Sequence, residues 1–169
     1  VALAQPKRQQ EFVAGRRLAK KLASELNLID KPLTRGATDL PLWPNDRIGS
    51  ISHCDRYCAV AVGKTPHIRS VGIDIERTGR IKHKLWGRLF TRKERVFLSP
   101  LSDSDQAFAT TAMFSAKETF YKFQYALARE RVGFQDLEVN WIDQHSCQIA
   151  VTHNLKRNCQ LTSVYIERV

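Results

Sequence analysis

Asp74 and Glu76 are the first residues whose placement suggests chemistry. They alternate with Val71, Ile73 and Ile75 in the run Val71-Gly72-Ile73-Asp74-Ile75-Glu76. An extended chain sets side chains two positions apart on one face, about 7 Å from each other. Two carboxylates so placed repel unless a cation sits between them. The alternating apolar residues predict a strand packed on a core, and a carboxylate pair there suits a hard cation. Magnesium takes oxygen ligands of this kind and completes its shell with water and substrate phosphates. A solvated polar strand face with no ligand fits the same pattern equally well.

Glu118 and Lys122 form a second candidate pair. Four apart on a predicted helix, they stack on one face in the favourable order. The plain reading is a surface ion pair. The same face, however, carries Phe114, Tyr121 and Tyr125. A helix with aromatics on both sides is covered on both sides, and partly buried charges then need specific partners such as a metal and phosphates. Lys117 adjoins Glu118. Ser52-His53 ends a predicted strand, where side chains project into clefts, and His can donate to phosphate or shuttle a proton. A lone strand-end His is more often structural. Glu94 in Thr91-Arg92-Lys93-Glu94 reads first as the acid of a capping box.

The elements that must position these residues follow from periodicity. Phe12, Gly15, Ala19, Leu22, Ala23 and Leu26 share one face of a helix predicted over 9–28. Arg17 and Lys21 point away from that face, and Arg16 lies at its margin, able to reach a ligand. Prolines at 32, 41 and 44 make 31–46 a loop. Strands over 48–53 and 57–62 flank Cys54-Asp55-Arg56, which predicts a hairpin. A polar connection at 63–70 precedes the predicted strand 71–76. A short helix runs from Thr91 to Leu98. Ser102 to Asp105 signals the start of a long helix over 105–129, with Met113, Ala116, Phe120, Phe123 and Leu127 facing the core. Short strand-like runs occur near 137–141, 148–152 and 161–166. Segregated helices and antiparallel-looking strands predict the α+β class.

Composition bounds the function. The chain has 169 residues, enough for one domain or two small lobes. It holds 27 Lys and Arg against 17 Asp and Glu, a formal +10, which favours an acidic or phosphate-rich partner. No apolar run reaches the length of a membrane span. Cys54, Cys58, Cys147 and Cys159 match no standard zinc spacing, even with His53 and His145 nearby, so free thiols in a reducing cytoplasm are expected.

Taken in order, four segments resemble the 4′-phosphopantetheinyl transferases: Trp43-Pro44, Gly49-Ser50-Ile51-Ser52-His53, Gly72-Ile73-Asp74-Ile75-Glu76, and Phe114-Ser115-Ala116-Lys117-Glu118 through Lys122. The resemblance is to the enterobactin-type branch of the surfactin-type group. Ala14-Gly15-Arg16 fits that branch too. It covers about 11–125. It implies a pseudo-dimer of two similar α+β lobes, 1–68 and 69–169, with coenzyme A in a cleft between them. It implies that Asp74, Glu76 and Glu118 bind magnesium. It gives Arg16, Ser52, His53 and Lys122 as coenzyme A phosphate contacts, and Glu118, Lys122 and Asp74 as catalytic. Lys117 belongs to the motif without a fixed role, and Glu94 matches a further acidic position.

The family usually has more chain before its first helix, so the first lobe is expected to be short at its N-terminus. The basic residue that usually precedes the Pro-rich segment is missing. Ala37-Thr38-Asp39-Leu40 stands there, with Arg35 the nearest base.

The implied reaction moves phosphopantetheine from coenzyme A to a serine of an apo aryl, peptidyl or acyl carrier protein, releasing 3′,5′-ADP. Glu118 or a water on the ion takes the serine proton, and Lys122 meets the departing phosphate. Carriers are acidic around the modified serine, so a basic chain attracts them at long range. The implied setting is cytoplasmic siderophore synthesis or other secondary metabolism by a monomer, without nucleic acid. The competing reading is a basic nucleic-acid-binding module, which explains the charge but not three acids near a phosphate site.

Overall fold

The computed structural model describes residues 6–28, 33–35, 41–143, 145–152 and 161–166. The chain falls into two compact units, Val1–Ile75 and Glu76–Val169. The sequence reading placed the division earlier, at 68/69.

In the first unit, helix α1 (Pro6–Glu25) packs on the hairpin of β3 (Arg47–Cys54) and β4 (Tyr57–Lys64). Its buried residues are Gly15, Ala19 and Ala23, spaced by fours, so the contact face is narrow and made of small residues. A Cβ at Gly15 would lie 2.7 Å from Ile51 Cγ2, so glycine is what lets the helix approach the strand. The helix stops short of the predicted 28. Asn27 takes a left-handed φ of 54°, its N–H donates to Ser24 O, and Leu28 N–H donates to Ala23 O. That is a Schellman ending, with Leu28 buried beneath it.

β3 and β4 pair antiparallel from Arg47↔Lys64 to Cys54↔Tyr57, with Asp55-Arg56 as the two-residue turn. Asp55 accepts the positive φ of 52° that a tight hairpin turn demands. The Pro-rich segment is not wholly irregular. Its described part contains two short strands, β1 (Thr34–Arg35) and β2 (Pro41–Leu42), paired antiparallel.

Residues 71–76 correct an expectation: they form no strand. Ile73 N–H donates to Ser50 Oγ at 3.1 Å and Ile75 N–H to Ser52 Oγ at 3.3 Å. Side-chain hydroxyls take the place of strand carbonyls, so the segment is tied to β3 without a ladder.

The second unit contains a 3₁₀ turn (His83–Leu85), α2 (Trp86–Leu89), α3 (Arg92–Leu98) and α4 (Asp103–Ala128). These pack with an antiparallel sheet of order β5-β6-β7: Leu137–Trp141, Ser146–Val151 and Leu161–Tyr165. Ser102 caps α4 by accepting from Asp105 N–H. Met113, Ala116 and Phe120 of α4 meet Phe90, Leu98, Leu137, Val139, Cys147 and Ile149 in one core. Phe123 and Leu127, expected in that stripe, are only half-buried. Mixed helices and antiparallel strands in separate runs agree with the α+β class.

Candidate active site

The first unit brings three of the motif segments together. Trp43 lies over Gly49, where a Cβ would stand 2.4 Å from the indole ring. The Trp43-Pro44 and Gly49–His53 segments are therefore one packed feature. Ser52, itself buried, donates its hydroxyl proton to Asp74 Oδ1 at 2.7 Å while accepting from Ile75 N–H. Asp74 is thus held half-buried by a side chain of β3. His53 is 40% exposed, with Nδ1 3.9 Å from Glu11 Oε2 of α1. Arg16 is half-buried; its guanidinium lies 3.3 Å from the Phe12 ring centroid and its Nε donates to Leu33 O at 3.2 Å. The 37–40 stretch, where a nucleotide contact was in question, lies outside the described residues.

In the second unit, Glu76 is nearly buried and its Oε2 accepts from Arg80. The sequence reading did not foresee Arg80, although the spacing of four was there to be read. On α4, no residue from Gln106 to Tyr125 is exposed, as its aromatics implied. Phe114 stacks on Phe134 with ring centroids 5.4 Å apart, and Tyr121 packs on Tyr125 at 5.4 Å. Glu118 and Lys122, one turn apart, are both half-buried. Burial pushes the Tyr121 hydroxyl above its usual range.

Two motif residues turn inward. Lys117 is 1% exposed; its Nζ donates to Glu94 Oε2 at 2.7 Å and to the carbonyls of Leu89 and Phe134 at 2.9 Å. Burial lowers its pKa, and the Glu94 carboxylate opposes that shift. Glu94 closes the expected capping box with Thr91. It also accepts from Val139 N–H at 2.8 Å, satisfying an edge-strand donor of β5. Glu94 and Lys117 therefore join α3, α4 and β5.

Among the described residues, no group of three or more His, Cys, Asp and Glu is arranged to hold a metal ion. Asp74 belongs to the first unit, and Glu76 and Glu118 to the second. The donor chemistry nonetheless suits magnesium: all three are carboxylates, hard oxygen donors, and none is exposed. Cys54, Cys58 and Cys147 are free thiols, and Cys159 lies outside the described residues.

The sequence model described as the 4′-phosphopantetheinyl transferase superfamily matches residues 70–167, and that of the 4′-phosphopantetheinyl transferase N-terminal domain matches residues 1–63. The chain belongs to this superfamily. It is 28% identical over 141 residues to the 4′-phosphopantetheinyl transferase PptT of Mycobacterium tuberculosis, covering 83% of this chain and 62% of that one. It is 29% identical over 142 residues to the 4′-phosphopantetheinyl transferase Npt of Nocardia iowensis, with coverages of 83% and 63%. Enterobactin synthase component D of Escherichia coli K12 is 32% identical over 143 residues, with coverages of 82% and 65%. The chain thus spans less than two thirds of the length of these relatives. Among the described residues, no helix is long and apolar enough to cross a membrane.

Proposed function

We propose that this chain carries the activity its superfamily is named for: Mg-dependent transfer of 4′-phosphopantetheine from coenzyme A to a serine of an apo carrier protein. The observation that carries the reading is Asp74 held by the buried Ser52 hydroxyl, each in a range that a model of the superfamily matches. A carboxylate fixed in this way has a geometry to keep, which a solvated polar face would not need.

Asp74, Glu76 and Glu118 would hold the magnesium ion, which supplies positive charge against the diphosphate. Glu118 takes the proton from the attacking serine. The serine Oγ–P bond forms as the P–O bond to 3′,5′-ADP breaks, and Lys122 neutralises the departing phosphate oxygen. Arg16, His53 and Lys122 are the proposed phosphate contacts; Ser52, which the resemblance also gave as one, is buried and its single hydroxyl proton goes to Asp74, so its role is to hold that carboxylate. The reading keeps the two-lobed pseudo-dimer of the resemblance, acting as a cytoplasmic monomer. The likeness to enterobactin synthase component D favours a carrier of siderophore assembly.

The test is nucleotide release. Protein incubated with coenzyme A, magnesium chloride and an apo carrier should liberate 3′,5′-ADP, and omission of any one should abolish it. Release that proceeds without a carrier would refute the transfer reading. Tight, salt-sensitive binding of duplex DNA with no release would favour the nucleic-acid module.

A further inference from the structure

The Glu76 side chain is only 9% exposed, yet its partner Arg80 is 53% exposed and donates to Oε2 from the solvent side. The two residues are four apart, but no helix brings them together. The turn Arg77–Arg80 does so, closed by Arg80 N–H on Arg77 O at 3.2 Å. Gly79 holds the third position of that turn at a φ of 79°, which favours glycine.

The turn is hung on α4. Gly79 N–H donates to Thr111 Oγ1 at 3.0 Å, and that hydroxyl donates onward to Ala107 O at 2.8 Å. Thr111 is buried. Its proton is used within the helix, which leaves its lone pairs for the turn. Thr111 and Glu118 are seven positions apart on α4, about two turns, so they lie on one side of the helix. The bond from Gly79 therefore registers the Glu76 segment against the side of α4 that bears Glu118.

An ion pair with a half-exposed partner adds little to stability. A carboxylate that ligates a metal is a different case. The groups bonded to it fix its orientation, and their loss costs about 10–100-fold in metal affinity. The Arg80 bond uses Oε2 and leaves Oε1 for a further partner. We infer, on the ligand set proposed above, that Arg80 and Thr111 are positioning residues of the magnesium site. Arg80 fixes the Glu76 carboxylate, and Thr111 sets the register of Glu76 against Glu118. Arg80 also carries charge of the same sign as the ion. Water screens that repulsion at an exposed guanidinium, while the hydrogen bond lies at a carboxylate nearly out of water.

The experiment reads the ion directly. Manganese(II), which takes the same oxygen ligands, stands in for magnesium. Free manganese is followed by electron paramagnetic resonance as protein is added, with coenzyme A present and a coenzyme A blank subtracted. The parent is compared with Arg80→Met, Arg80→Lys, Thr111→Val and Thr111→Ser, and melting temperatures verify the fold. Arg80→Met and Thr111→Val should each weaken manganese binding by about tenfold or more. Arg80→Met should melt close to the parent, since its ion pair is half exposed. Arg80→Lys should recover part of the affinity, and Thr111→Ser, which keeps the hydroxyl, most of it. In turnover the two weakened variants should need more magnesium by a similar factor, with kcat restored at saturation. Arg80→Met or Thr111→Val binding manganese as tightly as the parent, or more tightly, would remove that residue from the role and leave the proposed function standing. A parent that binds no manganese would overturn both the roles and the proposed ion. Binding weakened as expected, in a parent that transfers nothing, would sink the transfer reading and leave the roles.

Discussion

Lys117 Nζ and Glu94 Oε2 lie 2.7 Å apart, and both side chains are sealed inside the second unit. A motif lysine beside the proposed Glu118 thus serves the fold. Removing one partner leaves an uncompensated buried charge, at a cost of about 3–5 kcal/mol. Lys117→Met should lose about that much in urea unfolding. Lys117→Met combined with Glu94→Gln should lose less than the two single changes together, since the glutamine carries no charge and keeps an acceptor. Unaltered stability with abolished turnover in Lys117→Met would instead place this lysine in the reaction.

Ser52→Ala removes a hydroxyl that serves Asp74 and Ile75 N–H at once. Thermal unfolding should register about 1–3 kcal/mol for the groups left unsatisfied. Ser50→Ala, which frees only Ile73 N–H, should cost less. If Asp74 binds the ion, Ser52→Ala should also raise the magnesium concentration needed for half-maximal rate, and Ser50→Ala should not. Equal magnesium requirements in the two variants would remove Ser52 from that role.

The glycines should rank by what a methyl group would meet. At Gly49 it would strike Trp43 at 2.4 Å and Ala61 O at 2.6 Å, and at Gly15 it would press on Ile51 at 2.7 Å. At Gly87 in α2 nothing lies within 4 Å. Gly15→Ala should cost about 1–3 kcal/mol and Gly49→Ala at least as much. Gly87→Ala should be neutral or gain up to about 1 kcal/mol. Melting temperatures of the three variants decide the order.

Much of this was readable beforehand, for identifiable reasons. The Asp55-Arg56 hairpin and the Thr91–Glu94 capping box declare themselves through short-range spacing and formed, and the α4 stripe holds from Met113 to Phe120 but not at Phe123 and Leu127. The predicted strand at 71–76 failed because alternation does not specify a pairing partner: all six residues are half-buried, and the Ser50 and Ser52 hydroxyls accept the N–H groups that a strand would have paired. The end of α1 was overrun because Asn27 carried the stop, while Leu26 and Leu28 continued the apolar pattern. The Glu94 contacts with Lys117 and Val139 span 23 and 45 positions, and no local pattern encodes them.

Cys147 gives a pH test. Burial raises its thiol from 9.0 to about 12, so the folded protein keeps a proton that the unfolded chain releases above 9.0. Between those values the native state binds more protons, and stability falls with pH, by at most about 1.4 kcal/mol per pH unit for one group. Cys147→Ala lacks this loss. The stability gap between the parent and Cys147→Ala, measured by urea unfolding, should stay constant below pH 9 and narrow above it. A gap that does not change with pH would mean that the thiol ionises alike in both states.

Intact mass of the carrier is the most direct test of the central claim. Apo aryl, peptidyl and acyl carriers are each incubated with coenzyme A, magnesium chloride and either the parent protein or Glu118→Gln. At least one carrier should gain the mass of one phosphopantetheine with the parent and none with Glu118→Gln, whose fold is unchanged by circular dichroism. A carrier that gains the group equally from Glu118→Gln, or a full set of carriers left unmodified by the parent, would contradict the account.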